Sequence, residues 1–213
     1  ICFASNERNG KDFDVYVMDI VTLEKHCIFG EGGSCAAGGF STQGKYVVVR
    51  RKYSNANTDL YLCNLETGNV DHITPHDGNV FYTSSLWLPD ESAFFLMQDQ
   101  GREFIGLARY SLVERKFQYV LTPDWDVEGA AIDRNGKNIA VTVNEAGYNR
   151  VAICDTIRFE ARSYDLPAGN IYRTIFSESG SQMVFNLGGS RRPSDLWILT
   201  LETGETRQLT HSR

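Results

Sequence analysis

Apolar and polar residues alternate along much of this chain with a period of two, the pattern of strands that bury one face. The runs "DVYVMDI" from Asp14, "DLYLCNL" from Asp59 and "DLWILTL" from Asp195 show it most plainly. Together with "GLARYSL" from Gly106 and "VAICDTI" from Val151, these runs start 44 to 47 residues apart. A second series keeps the same spacing: "FSTQGKYVV" from Phe40, "WLPDESAFF" from Trp87, "IDRNGKNIA" from Ile132 and "FSESGSQMV" from Phe176. Each of its members has a large apolar residue, a polar turn with Gly or Glu at the fifth position, and then an alternating run. The fifth positions, Gly44, Glu91, Gly136 and Gly180, lie 47, 45 and 44 residues apart.

Four short strands per repeat, joined by tight turns, predict the blades of an all-β propeller built from four-stranded antiparallel sheets. A helical solenoid is excluded by the period of two. The innermost strand of each blade should end at Phe40, Trp87, Ile132 and Phe176, where the small residues Gly38, Gly39, Ser84, Ser85, Gly129 and Ala130 suit a crowded centre. "ICFASN" fits the second strand of a first blade, so the chain should hold three strands of that blade and four complete blades, about nineteen strands. The blades are expected at 1–31 (partial), 32–78, 79–124, 125–168 and 169–213. Either five blades close with one strand missing, or the chain is an arc of a larger ring. We expect the arc, whose end blades would expose apolar faces and self-associate.

Composition changes this picture little. The chain is 213 residues long, 42% hydrophobic and 23% charged, ordinary values for a globular protein. Its longest apolar run, Ala93 to Met97, is far too short to cross a bilayer. A net charge of -6 disfavours nonspecific binding to nucleic acid. The five cysteines, Cys2, Cys27, Cys35, Cys63 and Cys154, contain no C-x-x-C pair and read as buried free thiols, which favours a reducing compartment. The start at Ile1, with no basic or apolar leader after it, reads as cut or processed.

"FSTQGKYVV" and "DLYLCNLETGNVDHIT" resemble the propeller repeats of the prolyl oligopeptidase superfamily, and also those of the periplasmic Tol-system propellers. The terminal stretch "RRPSDLWILTLETGETRQLTHS" is similar to the last blade of acylaminoacyl-peptidase-like members, after which the chain enters an α/β-hydrolase domain. The first resemblance implies the non-catalytic propeller of a cytoplasmic serine peptidase, which gates and positions peptide substrates for a catalytic domain absent from this chain. The second implies a periplasmic interaction scaffold with no enzymatic activity. Neither implies a cofactor.

The chain itself offers little chemistry. Ser34 in "GEGGSCAAGG" and Ser190 in "NLGGSRRPSD" follow glycine pairs, but neither lies in a G-x-S-x-G elbow, and both read as turn residues. His26, His72, His76 and His211 read as surface or strand-end residues. Asp124, Asp126 and Glu128 alternate as calcium ligands do, without the rest of a calcium loop, so no metal is expected. A glycosidase would need two facing carboxylates, and the inner strands offer Glu128 and little else.

Basic residues recur where the second strand of a blade turns into the third: Arg8, Lys11, Arg50, Arg51, Lys52, Arg102, Arg150, Arg191 and Arg192. Acidic residues on the blade-entering loops, Glu31, Asp77, Asp124, Asp126 and Glu128, share that face. Two readings stay open. One is a mixed, solvated surface whose ion pairs contribute little. The other is a docking face in which Arg50, Arg51, Arg191 and Arg192 bind the carboxylates of a partner domain or a charged peptide.

Overall fold

The structure, a computed structural model, describes residues 1–83, 85–190 and 192–212; Ser84, Arg191 and Arg213 lie outside the described residues. Nineteen strands among them form five sheets, and no helix is long and apolar enough to cross a membrane. The first sheet has three strands, β1 (Cys2–Ser5), β2 (Asp14–Met18) and β3 (Lys25–Phe29). The second comprises β4 (Ser34–Phe40), β5 (Tyr46–Ser54), β6 (Asn57–Asn64) and β7 (Val70–His72). The third holds β8 (Leu86–Trp87), β9 (Ala93–Gln98), β10 (Gly106–Ser111) and β11 (Lys116–Leu121). The fourth runs through β12 (Val127–Ile132), β13 (Asn138–Glu145), β14 (Tyr148–Asp155) and β15 (Ala161–Tyr164). The fifth contains β16 (Asn170–Phe176), β17 (Gln182–Gly189), β18 (Arg192–Thr200) and β19 (Thr206–Gln208). In every sheet the strands lie in sequence order, the up-and-down arrangement of an all-β propeller with about five blades.

Period-two patterning makes these strands because each must bury a side. Along β17, Met183, Phe185 and Leu187 are buried while Gln182, Val184 and Asn186 are half-buried. By contacts the chain falls into two compact units, Ile1–Gly101 with Tyr110–Phe117 and Arg102–Arg109 with Gln118–Arg213. In the first unit Val15 and Phe29 of the first sheet pack with Cys35, Val47, Val49 and Cys63 of the second. In the second unit Val151, Ile153 and Tyr164 of the fourth sheet pack with Met183, Phe185 and Leu199 of the fifth. A blade thus completes its core only with its neighbour; truncating fully buried Phe185 to alanine should cost about 3–5 kcal/mol.

The fifth position of the repeat turn has a backbone reason. Gly44, Glu91, Gly136 and Gly180 take φ of 80°, 56°, 69° and 73°, and each N–H donates to the carbonyl three residues earlier. Glycine adopts this left-handed conformation without steric cost, and glutamate does not. Glu91 is buried, and its carboxylate accepts the Gln43 N–H of the preceding repeat turn at 2.6 Å. Thr42 of the same turn donates to the Leu88 carbonyl at 3.1 Å, so the two turns are stitched together.

Candidate functional site

The basic residues singled out in the sequence lie in strands more often than in loops. Arg50, Arg51 and Lys52 are inside β5, Arg150 is inside β14, and Arg192 opens β18. The sequence placed them in connecting loops; the β5–β6 ladder instead continues through charged residues to Ser54 opposite Asn57, which leaves a very short turn. Neighbours on a strand point to opposite faces, so Arg50 and Arg51 lie on opposite faces of β5. Arg51 donates to the Glu31 carbonyl at 3.1 Å and lies over the Tyr53 ring at 5.3 Å. Arg192 is exposed and belongs to the second unit, whereas Arg50 and Arg51 belong to the first; Arg191 is outside the described residues.

The histidines depart from expectation in one respect: the His76 side chain is buried rather than at the surface, with 6% of it exposed. Its Nε2 lies 3.4 Å from Asp59 Oδ1, and His72 Nε2 lies 3.0 Å from the same oxygen. Thr74 donates its hydroxyl to that oxygen at 3.3 Å, and Tyr53 donates to Oδ2 at 3.0 Å. The fifth sheet repeats the arrangement around Asp195, where Gln208, Thr210 and Ser212 stand at the places of His72, Thr74 and His76. There the Ser212 backbone N–H and then the Thr210 hydroxyl hold the Asp195 carboxyl below the usual carboxylate range. Both carboxylates tie the end of a blade to the chain that leaves it. Catalytic order is lacking at Asp59, because the Thr74 hydroxyl donates to the carboxylate directly. No serine hydroxyl among the described residues donates to an imidazole; Ser34 opens β4 opposite Lys52 rather than sitting in a turn, and Ser190 is in a turn.

A pocket of about 230 Å³ lies in the second unit between β12 and β16, lined by Glu128, Thr142, Tyr172, Arg173 and Thr174 among others. Both strands carry a β-bulge here. The β12–β13 register shifts between Val127 and Gly129, so Glu128 is the extra residue. The β16–β17 register shifts between Ile171 and Thr174, across Tyr172 and Arg173. A bulge bends the strand and re-aims its side chains. Glu128 Oε1 accepts from the Asn144 amide at 2.7 Å and Oε2 from Asn149 at 2.9 Å. The Asn149 side-chain oxygen in turn accepts the Ile171 N–H at 2.6 Å, so one asparagine fixes both the carboxylate and β16. Asp126, two residues before Glu128, accepts the Ile105 N–H at 2.9 Å.

Glu128 and Arg173 are the charged side chains on the first strands of the four complete sheets; β4 and β8 have none. Arg173 makes no ion pair or hydrogen bond among the described residues. The sequence pointed to Glu128 and missed Arg173, Asn144 and Asn149. A charge in the run "NIYRTIF", where β4 has "SCAAGGF", was the available signal.

No protein-family model matches the chain, and no curated protein sequence does. Solved structures do. TolB from Acinetobacter baumannii is 14% identical over 98% of this chain and 52% of its own, with a TM-score of 0.69. A prolyl endopeptidase is 12% identical over 97% of this chain and 32% of its own, with a TM-score of 0.80. A putative TolB from Agrobacterium tumefaciens is 13% identical over 98% of this chain and 80% of its own, with a TM-score of 0.69. The chain thus spans about half of the first and a third of the second. At such identities the likeness is one of fold: this chain is a β-propeller similar to those of TolB proteins and of a prolyl endopeptidase.

Proposed function

We propose that this chain is the non-catalytic propeller domain of a serine peptidase, and that it gates and positions peptides for an α/β-hydrolase domain outside residues 1–213. The observation that carries this reading is the likeness to a prolyl endopeptidase over 97% of the chain at a TM-score of 0.80. The side-chain geometry is compatible with it: neither Ser34 nor Ser190 donates to an imidazole among the described residues, as a serine nucleophile would.

A fluorophosphonate probe tests the proposal on the full-length protein. Labelling of one serine outside residues 1–213, with cleavage of short peptides and sparing of folded proteins, is the expected result. Labelling of Ser34 or Ser190 would sink it. The second reading, an interaction propeller without enzymatic activity, draws on the match to 80% of the Agrobacterium tumefaciens protein. It takes over if the full-length protein neither labels nor cleaves peptides.

A further inference from the structure

Inner positions of this propeller are kept small or apolar: β4 reads Ser-Cys-Ala-Ala-Gly-Gly-Phe and β8 Leu-Trp. Against that background two opposite charges stand on β12 and β16, each in a bulge, and both line the same pocket. They form no ion pair with each other. The Glu128 carboxylate is held in place by Asn144 and Asn149, one amide on each oxygen. A carboxylate has about four acceptor sites, so about two remain free. Its orientation is fixed before any ligand arrives, which lowers the cost of binding. The Arg173 guanidinium has five donors with no protein acceptor among the described residues, and Thr142 and Thr174 also line the pocket. Tyr172, 71% exposed, adds an aromatic surface beside Arg173.

We propose that this pocket binds a short zwitterionic peptide, its ammonium group on Glu128 and its terminal carboxylate on Arg173, a site that deepens the peptide-handling reading above and rests on it. The size agrees with a dipeptide: 230 Å³ falls below the roughly 300–1,000 Å³ of sites for drug-sized ligands. The threonine hydroxyls would serve the single peptide group between the two ends. Binding here is non-covalent, and no bond is made or broken.

The test is calorimetric titration of the full-length protein, treated beforehand with fluorophosphonate to silence any hydrolysis, with dialanine, N-acetyl-dialanine and dialanine amide. Dialanine should bind best, and blocking either end should weaken binding by about tenfold or more, the usual scale of a charged hydrogen bond. Arg173→Gln should bind dialanine and dialanine amide equally, because the carboxylate has lost its partner. Glu128→Gln should likewise lose its sensitivity to acetylation. Equal binding of all three peptides, or none, would overturn the assignment, and the unmodified protein answers that before any variant is made. Dialanine binding in a protein that neither labels nor cleaves would retain the site and discard the peptidase. Labelling without dialanine binding would do the reverse.

Discussion

Replacing Glu91 by alanine and by glycine separates two forces that oppose each other at one residue. Its φ of 56° costs an L-residue about 1–2 kcal/mol, and the other repeat turns avoid this with glycine. Against that stands the 2.6 Å bond from the Gln43 N–H to the buried Glu91 carboxylate, and bonds to charged groups contribute about 1.5–3 kcal/mol. Gln43 is exposed and can rehydrate its N–H, so the lower end of that range applies. Glu91→Ala keeps the strain and loses the bond, and should destabilise the protein by about 1.5–2 kcal/mol. Glu91→Gly loses the bond but also the strain, less about 0.4–1 kcal/mol for the freer unfolded chain. Glycine should therefore be more stable than alanine by about 0.5–1 kcal/mol, the reverse of their usual order within strands and helices. Urea denaturation of the two variants measures it, and the gap should appear in melting as about 1–4 °C. Two controls belong in the same series. Gly44→Ala incurs the backbone cost alone, with nothing within 4 Å of the new methyl, whereas at Gly180 that methyl would meet Asp133 Oδ2 at 2.9 Å. Asp133 is held by the Lys137 N–H and the Asn138 amide, so Gly180→Ala should cost more. An alanine at 91 as stable as the glycine would refute the strain argument.

Two further outcomes are accessible to simple assays. The Asp195 carboxyl is held low chiefly by the Ser212 backbone N–H, so its stabilisation is present above the unfolded carboxylate value near 3.9 and is lost as pH falls through its folded value. Asp195→Asn should melt below the wild type at neutral pH by a margin that shrinks as acid is added, and a constant margin from pH 7 to 3 would contradict this. Burial pushes the Cys63 thiol up to about 12, from an ordinary value near 9.0, whereas Cys27 is exposed. A thiol reagent at pH 8 should modify Cys27 in the native protein and Cys63 only after unfolding, as peptide mapping will show. Because the folded Cys63 value is the raised one, its neutral form stabilises the protein fully below about pH 9 and progressively less as pH rises towards 12.

What the sequence revealed and what it hid divide along one physical line. Alternation and turn chemistry are local, so the strand endings at Phe40, Trp87, Ile132 and Phe176 and the three-stranded first sheet could be read from them. A bulge is a property of two strands: nothing within "VEGAAI" or "NIYRTIF" says that the partner advances one residue fewer. For that reason Glu128 drew notice as a lone carboxylate, and Arg173 drew none. Burial of the His76 side chain was hidden similarly, since its place depends on Asp59, which lies 17 residues earlier in the sequence. The opposed faces of Arg50 and Arg51, by contrast, follow from alternation alone, once both are placed on a strand.

Strands that lie beside their sequence neighbours also set a timetable for synthesis. A repeat of 44 to 47 residues leaves a ribosome in about 2–9 s at about 5–20 residues per second, while a hairpin forms in about 1–10 μs. Each sheet can therefore satisfy its backbone hydrogen bonds long before the next is made. Its apolar face cannot be covered so soon, because Met183, Phe185 and Leu199 of the fifth sheet are what close the core over Val151 and Tyr164 of the fourth. A growing chain of this kind therefore carries the uncovered face of its fourth blade forward until the fifth docks on it.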